Sequence, residues 1–221
     1  MNPSPPNASP ASKPQDFSFS SLQQFIADSA GKKSPRSNSG TPERSESQNL
    51  ALQVAHNLRF QHEWTDIRMH FRASDRTTAS SLPRPMISGM PPRRLYVHPD
   101  EQIEVLRKQR EQGKAGWPDL ASEREWVLPT QLKETWTLRR FAEVFDALAV
   151  VPAEGEGGAV FSNGTPKADV PAHGSDGDGA EGEMSKWRKT QPKRLLLATV
   201  DDDSTVVYYI IHDGIVKPRQ N

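Results

Sequence analysis

Two apolar runs near the C-terminus, Leu195–Val200 and Thr205–Ile211, are the densest β-forming stretches of the chain, and Asp201, Asp202, Asp203 and Ser204 separate them. Short runs rich in Val, Ile, Tyr and Thr on either side of a few turn-formers predict a hairpin. In the second strand Val206, Tyr208 and Ile210 fall on one face, and Val207, Tyr209 and Ile211 on the other. A strand with water on one side alternates apolar with polar residues. This one is apolar on both faces. It therefore needs cover on both sides, from its own helices and from a second polypeptide.

Upstream, Leu50, Ala51, Val54, Ala55 and Leu58 recur at helical spacing behind Ser47 as a cap, so order is expected to begin near Gln48. Ile67, Met69 and Phe71 then alternate with Arg68 and His70, which predicts a half-buried strand with His70 facing outward. Residues 73–85 read as loop by composition. A second strand is expected over Arg93–Val97, led in by Met86, Ile87, Pro91 and Pro92. Pro99 suits the first position of a helix, with His98 at its boundary and Asp100 and Glu101 at the positive end of its dipole. Ile103, Val105 and Leu106 give this helix its expected buried side, and Gly113 ends it. Glu125–Leu128 reads as a short strand. Thr135 or Thr137 then opens a helix with Leu138, Phe141, Val144, Phe145 and Leu148 on one face, and Arg139, Arg140, Glu143 and Asp146 opposite. The order helix, strand, strand, helix, strand, helix, hairpin predicts a single compact α/β domain, its mixed β-sheet flanked by helices.

Composition limits that domain. Only 34% of the residues are hydrophobic, against about 45–50% usually, and there are 19 prolines and 14 glycines. Residues 1–47, rich in Pro, Ser, Asn and Lys, are expected to be a disordered tail. Within it Phe17, Phe19, Leu22, Phe25 and Ile26 form an apolar island, with Ser20 or Ser21 placed to cap a short helix. Residues 152–185 form an acidic, Gly-rich insertion, also expected to be disordered. The domain is then 48–151 plus 186–221. Lys and Arg total 28, as do Asp and Glu, and this zero balance argues against a broad phosphate-neutralising surface. With no cysteine, disulfides and thiolate metal sites are excluded. No apolar run is long enough to span a membrane, and the opening MNPSPPNASPASKPQ lacks a signal-peptide core.

Candidate chemistry is sparse. No His pair has metal-ligand spacing with a carboxylate in step, and GxGxxG, P-loop and GxSxG motifs are absent, so neither metal nor cofactor is expected. Tyr208 or Tyr209 with His212 and Asp213 would make a nucleophile and base, but His212-Asp213-Gly214 suits a turn after the strand. Lys186, Trp187, Arg188, Lys189, Lys193 and Arg194 form a basic cluster with one aromatic, a candidate RNA contact through phosphates and stacking. A solvated flank explains it equally well. Asp201, Asp202 and Asp203 would form an acidic knob at the hairpin tip, able to enter a basic pocket on a neighbour.

The C-terminal run from Ser204 to Asn221, behind Leu195–Val200 and an acidic turn, resembles the end of the small accessory subunit, subunit fifteen, of the eukaryotic tRNA-splicing endonuclease in its fungal form. The stretch Val54 to Ile67, a helix passing into a strand through His62 and Trp64, resembles the start of that family's domain. The resemblance covers about 48–150 and 186–221. It implies the nuclease-like C-terminal domain shared by the subunits of a heterotetramer. Two of these subunits cut precursor tRNA with a Tyr, His and Lys set, leaving a 2′,3′-cyclic phosphate. The other two are structural, and no such set stands at matching places here. The resemblance also implies pairing with a catalytic subunit through the last strand, contact with precursor tRNA through the complex, and residence in the nucleus or at the mitochondrial outer surface. It implies an acidic loop joining the heterodimers, with Asp201, Asp202 and Asp203 as candidates and Asp176, Asp178 and Glu181 as rivals. The expected function is a non-catalytic scaffold subunit. An RNA-binding adaptor using 186–194, and a stand-alone endoribonuclease with His212 as base, are the alternatives.

Overall fold

The computed structural model describes residues 21–31, 42–73, 81–113, 116–118, 120–161, 188 and 191–214. Helix α1 (Ser21–Gly31) belongs to a unit of its own. It matches the apolar island, with Leu22, Phe25 and Ile26 half-buried between exposed Gln23, Gln24, Ala27 and Asp28. Phe17 and Phe19 lie outside the described residues.

In the second unit the elements run α2 (Pro42–Phe60), β1 (Thr65–Arg72), β2 (Ser81–Met90), α3 (Pro99–Glu111), β3 (Glu125–Gln131), α4 (Leu138–Ala147), β4 (Gly158–Ala159), β5 (Arg194–Val200) and β6 (Val206–His212). The strands form one mixed sheet in the order β4-β1-β2-β3-β5-β6. Only β3 and β5 run parallel; β5 and β6 are the expected hairpin, in register from Arg194↔His212 to Val200↔Val206.

The two main helices cover opposite faces. On one, α4 sends Val144, Phe145 and Leu148 into a core with Leu82, Met86, Trp126, Leu128 and Leu195, and Ile211 packs against it. The other face belongs to α2, whose Leu50, Ala51, Val54, Ala55 and Leu58 are buried as their spacing predicts. This helix starts at Pro42, upstream of the expected residue 48, so Ser47 lies within it and is not its cap. Thr137 caps α4 with extended backbone, its hydroxyl accepting from Arg140 N at 3.3 Å. Thr137→Ala is expected to cost about 1 kcal/mol, read as a lower urea midpoint with unchanged m-value. Leu138, assigned to the buried face, is 88% exposed because it sits in the first turn, ahead of the core.

Three further expectations are corrected. The second strand is Ser81–Met90, and Arg93–Val97 is not a strand. Pro83 and Pro85 are tolerated within β2 because neither stands in a paired rung: β3 pairs only with Ile87, Ser88 and Gly89, and the β1 ladder is irregular between Ser81 and Met86. In α3 the buried residue is Glu101, while Ile103 is exposed and Val105 and Leu106 half-buried. His70 is buried rather than outward, because Gly157 closes over its ring. That glycine and β4 lie inside the segment expected to be disordered insertion, and β4 pairs with β1 at Arg68 and Met69. Among the described residues, no helix is long and apolar enough to cross a membrane.

Candidate subunit interface

Two-residue β4 is one edge of the sheet, and strand β6 is the other. The hydrogen bonds flanking its ladder fix which main-chain groups face inward: Asp213 N donates to Lys193 O at 2.8 Å, and Asp201 N donates to Thr205 O at 2.9 Å. Pairs of this narrow kind alternate along an antiparallel ladder. Residues 207, 209 and 211 therefore bond to β5, and Val206, Tyr208, Ile210 and His212 turn their N–H and C=O groups outward. Val207 is 44% exposed and Tyr209 56%, on the sheet face that α4 covers only as far as Ile211.

The six apolar residues of β6 are thus not equivalent. Tyr208 lies toward α2: its hydroxyl donates to Asn57 Oδ1 at 2.6 Å, His62 stands edge-on to its ring, and burial pushes the phenol well above its ordinary pKa. Ile211 is anchored in the core, Val206 is half-buried, and Val207, Tyr209 and Ile210 are exposed. His212 stands edge-on to Tyr96 with ring centroids 5.0 Å apart. Neither tyrosine of the strand is bonded to it in a catalytic arrangement: Tyr208 is bonded to Asn57, and Tyr209 faces the opposite side of the sheet.

The acidic turn is exposed throughout. Ser204 adopts φ 70°, Asp201 accepts from Asp202 N at 2.7 Å, and Asp203 accepts from Thr205 N at 2.8 Å. That last bond holds the Asp203 carboxyl below its usual value. Asp202 is ion-paired with Lys133. The rival acidic residues Asp176, Asp178 and Glu181 lie outside the described residues.

The basic cluster is corrected where it is described. Arg188 and Arg194 are each 3% exposed, too deep to meet a phosphate. They belong to an alternating chain of charges, Glu101, Arg94, Glu123, Arg194, Glu125 and Arg188. Arg94 Nη2 lies 2.9 Å from Glu101 and 2.8 Å from Glu123. Arg194 Nη2 reaches Glu123 at 2.9 Å and also pairs with Glu125, which accepts from Arg188 Nη2 at 3.0 Å. Burial lowers the Arg188 pKa despite Glu125. For Arg194 burial acts the same way, but Glu125 and Glu123 outweigh it and raise the value. Lys193 Nζ donates to Phe145 O at 2.8 Å, at the C-terminal end of α4. Lys186, Trp187 and Lys189 lie outside the described residues. The sequence reading missed Arg94, Glu101, Glu123 and Glu125. A trace of the signal was Glu125 itself, a charge opening an otherwise apolar strand.

His98 caps α3, its Nδ1 accepting from Asp100 N at 3.2 Å. Among the described residues, no group of three or more His, Asp or Glu could hold a metal ion.

Comparison with known proteins gives one family and two relatives. The family model described as "Sen15 protein" matches residues 53–157 and 181–221. A Neurospora crassa protein named "Probable tRNA-splicing endonuclease subunit tsp-1" is 44% identical over 177 residues, covering 79% of this chain and 66% of the relative. This chain thus spans just under two thirds of that relative's length. A Schizosaccharomyces pombe protein named "Probable tRNA-splicing endonuclease subunit sen15" is 26% identical over 168 residues, 76% of this chain and 80% of the relative.

Proposed function

The chain belongs to the Sen15 protein family, and from that premise we propose that it is a non-catalytic structural subunit of a tRNA-splicing endonuclease. It pairs with a catalytic subunit by adding a partner strand to β6, and so helps to hold the centres that cut precursor tRNA at a fixed separation. The two relatives, both named as subunits of such an enzyme, supply the assembly. The observation that carries the pairing is the free edge of β6, flanked by exposed Val207 and Tyr209. An uncovered strand of this kind is a template for another chain. The acidic turn stands at the end of the same hairpin, placed to meet a basic pocket once the pair has formed. The RNA-adaptor reading is weakened, since two of its six residues are buried in ion pairs.

The test is Val207→Asp together with Tyr209→Asp in the co-expressed complex. Ile211 is left alone because it also packs in the core. Carboxylates buried without partners at the seam should abolish co-purification, while the isolated chain keeps its thermal midpoint. An assembly that survives the double change at wild-type yield rules out pairing through this strand.

A further inference from the structure

The far end of β6 says something about the chemistry of the strand that meets it. His212 occupies the last rung of the hairpin, opposite Arg194, and its main chain belongs to the outward set. Its Nε2 is buried without a hydrogen-bonding partner. Of the two guanidinium groups that act on it, Arg188 also has Nε and Nη1 buried and unpartnered. Glu125 and Glu123, the carboxylates nearest this rung, are already paired with Arg188 and Arg194, while Glu101 at the far end of the chain of charges keeps an Oε1 that is ion-paired with Arg94 but accepts no hydrogen bond. The charged and titratable groups facing His212 are Arg194 and Arg188 from beneath, Tyr96 against its ring, His98 at the cap of α3, and Asp213 next in the chain. Arg194 also lies over the Tyr96 ring, 5.2 Å from its centroid. A cation brought to this rung would be repelled by two guanidinium groups, and an apolar side chain would leave the donors unmet. An anionic acceptor satisfies both conditions.

We propose that the partner strand carries a carboxylate side chain at the rung facing His212, received by His212 Nε2 with Arg188 and Arg194 behind it. This rests on the reading that β6 is the paired edge. The contact fixes register, since sliding the partner by one residue would turn the carboxylate to the other face. It also links pairing to pH. In the free chain burial, then Arg194, Arg188 and His98, depress the imidazole pKa below 6.5. A carboxylate favours the imidazolium, so pairing takes up a proton.

The experiment measures the dissociation constant of the purified pair between pH 8 and pH 6 for the wild type, His212→Gln and His212→Phe, with Ile210→Pro as control. Ile210→Pro removes an outward N–H, which an edge strand tolerates in its own fold. Wild-type affinity should rise as the pH falls. His212→Phe should weaken pairing roughly ten-fold at pH 6 and lose the pH slope. His212→Gln, which keeps a donor, should lie between them without a slope. If Ile210→Pro breaks the pair while His212→Phe matches or exceeds wild type at every pH, the carboxylate is refuted and edge pairing stands. If Ile210→Pro pairs normally, edge pairing is refuted and this inference falls with it.

Discussion

Glu125→Ala is expected to cost the isolated chain roughly 3–5 kcal/mol of folding stability, enough to leave a domain of ordinary stability largely unfolded. Glu125 is 3% exposed and opens β3. It accepts from Arg194 Nε at 3.2 Å and from Arg188 Nη2 at 3.0 Å. Among the described residues, removing it leaves Arg188 without an ion-pair partner and Arg194 with only Glu123, both deep in the protein. The loss is dominated by one buried cation without its ion-pair partner and a second left with half of its own, not by the net worth of the pairs, and a second variant separates these terms. Replacing Glu125, Arg188 and Arg194 together with Leu, Met and Met removes charge and counter-charge at once. Buried ion pairs exchanged for well-packed apolar residues are often neutral or stabilising. Urea denaturation should therefore show a collapsed midpoint for Glu125→Ala and a substantial recovery for the triple variant. A near-normal midpoint for Glu125→Ala would mean that water reaches the cluster and that its charges are not buried.

The same cluster shows where reading the sequence stops. Helical periodicity placed Val144, Phe145 and Leu148 correctly because each meets the core through a local repeat. The β5–β6 hairpin was legible because four turn residues separate two apolar runs. Glu125, by contrast, meets Arg188 and Arg194 across 63 and 69 residues, and no local pattern announces a contact at that range. Arg188 and Arg194 therefore read as a solvent-facing basic patch when they are internal counter-charges. Glu101 read as a dipole residue at the start of α3 for the same reason, although it is 1% exposed and paired with Arg94. Strand β2 was displaced by about ten residues because its prolines carry a loop signal, and what permits them is the absence of a neighbour on one side. The two-residue β4, Gly158–Ala159, has no strand composition at all; a small edge element is held by its partner's register, not by propensity. At the candidate interface both faces of β6 were legible as apolar. Which of them stays open depends on α4 ending its cover at Ile211.

His70 should make the chain measurably sensitive to mild acid. Its Nε2 lies 2.9 Å from Ser88 Oγ, its ring stands edge-on to Trp126 at 4.7 Å, and Gly157 closes the other side. A β-carbon on Gly157 would come within 2.7 Å of the ring, so this fit admits only glycine, as does φ 84°. Burial lowers the imidazole pKa to about 4; Glu156 pulls it upward, and Arg124 and Arg68 push it down. The unfolded chain, with a pKa near 6.5, therefore takes up a proton first as the pH falls. The stability tied to neutral His70 is intact above about pH 6.5 and is lost progressively down to about pH 4. Between pH 7 and pH 5 the loss should approach about 2 kcal/mol. His70→Gln retains an amide donor toward Ser88 and cannot titrate in this range. Subtracting its pH profile from that of the wild type cancels the lowered His56, His212 and Glu134, provided their surroundings are unchanged. A difference curve that is flat from pH 7 to pH 5 would show that His70 is open to solvent, and with it that the segment bearing Gly157 does not close over β1. A curve falling toward acid would place that segment, which reads as linker by composition, among the parts that hold the sheet together.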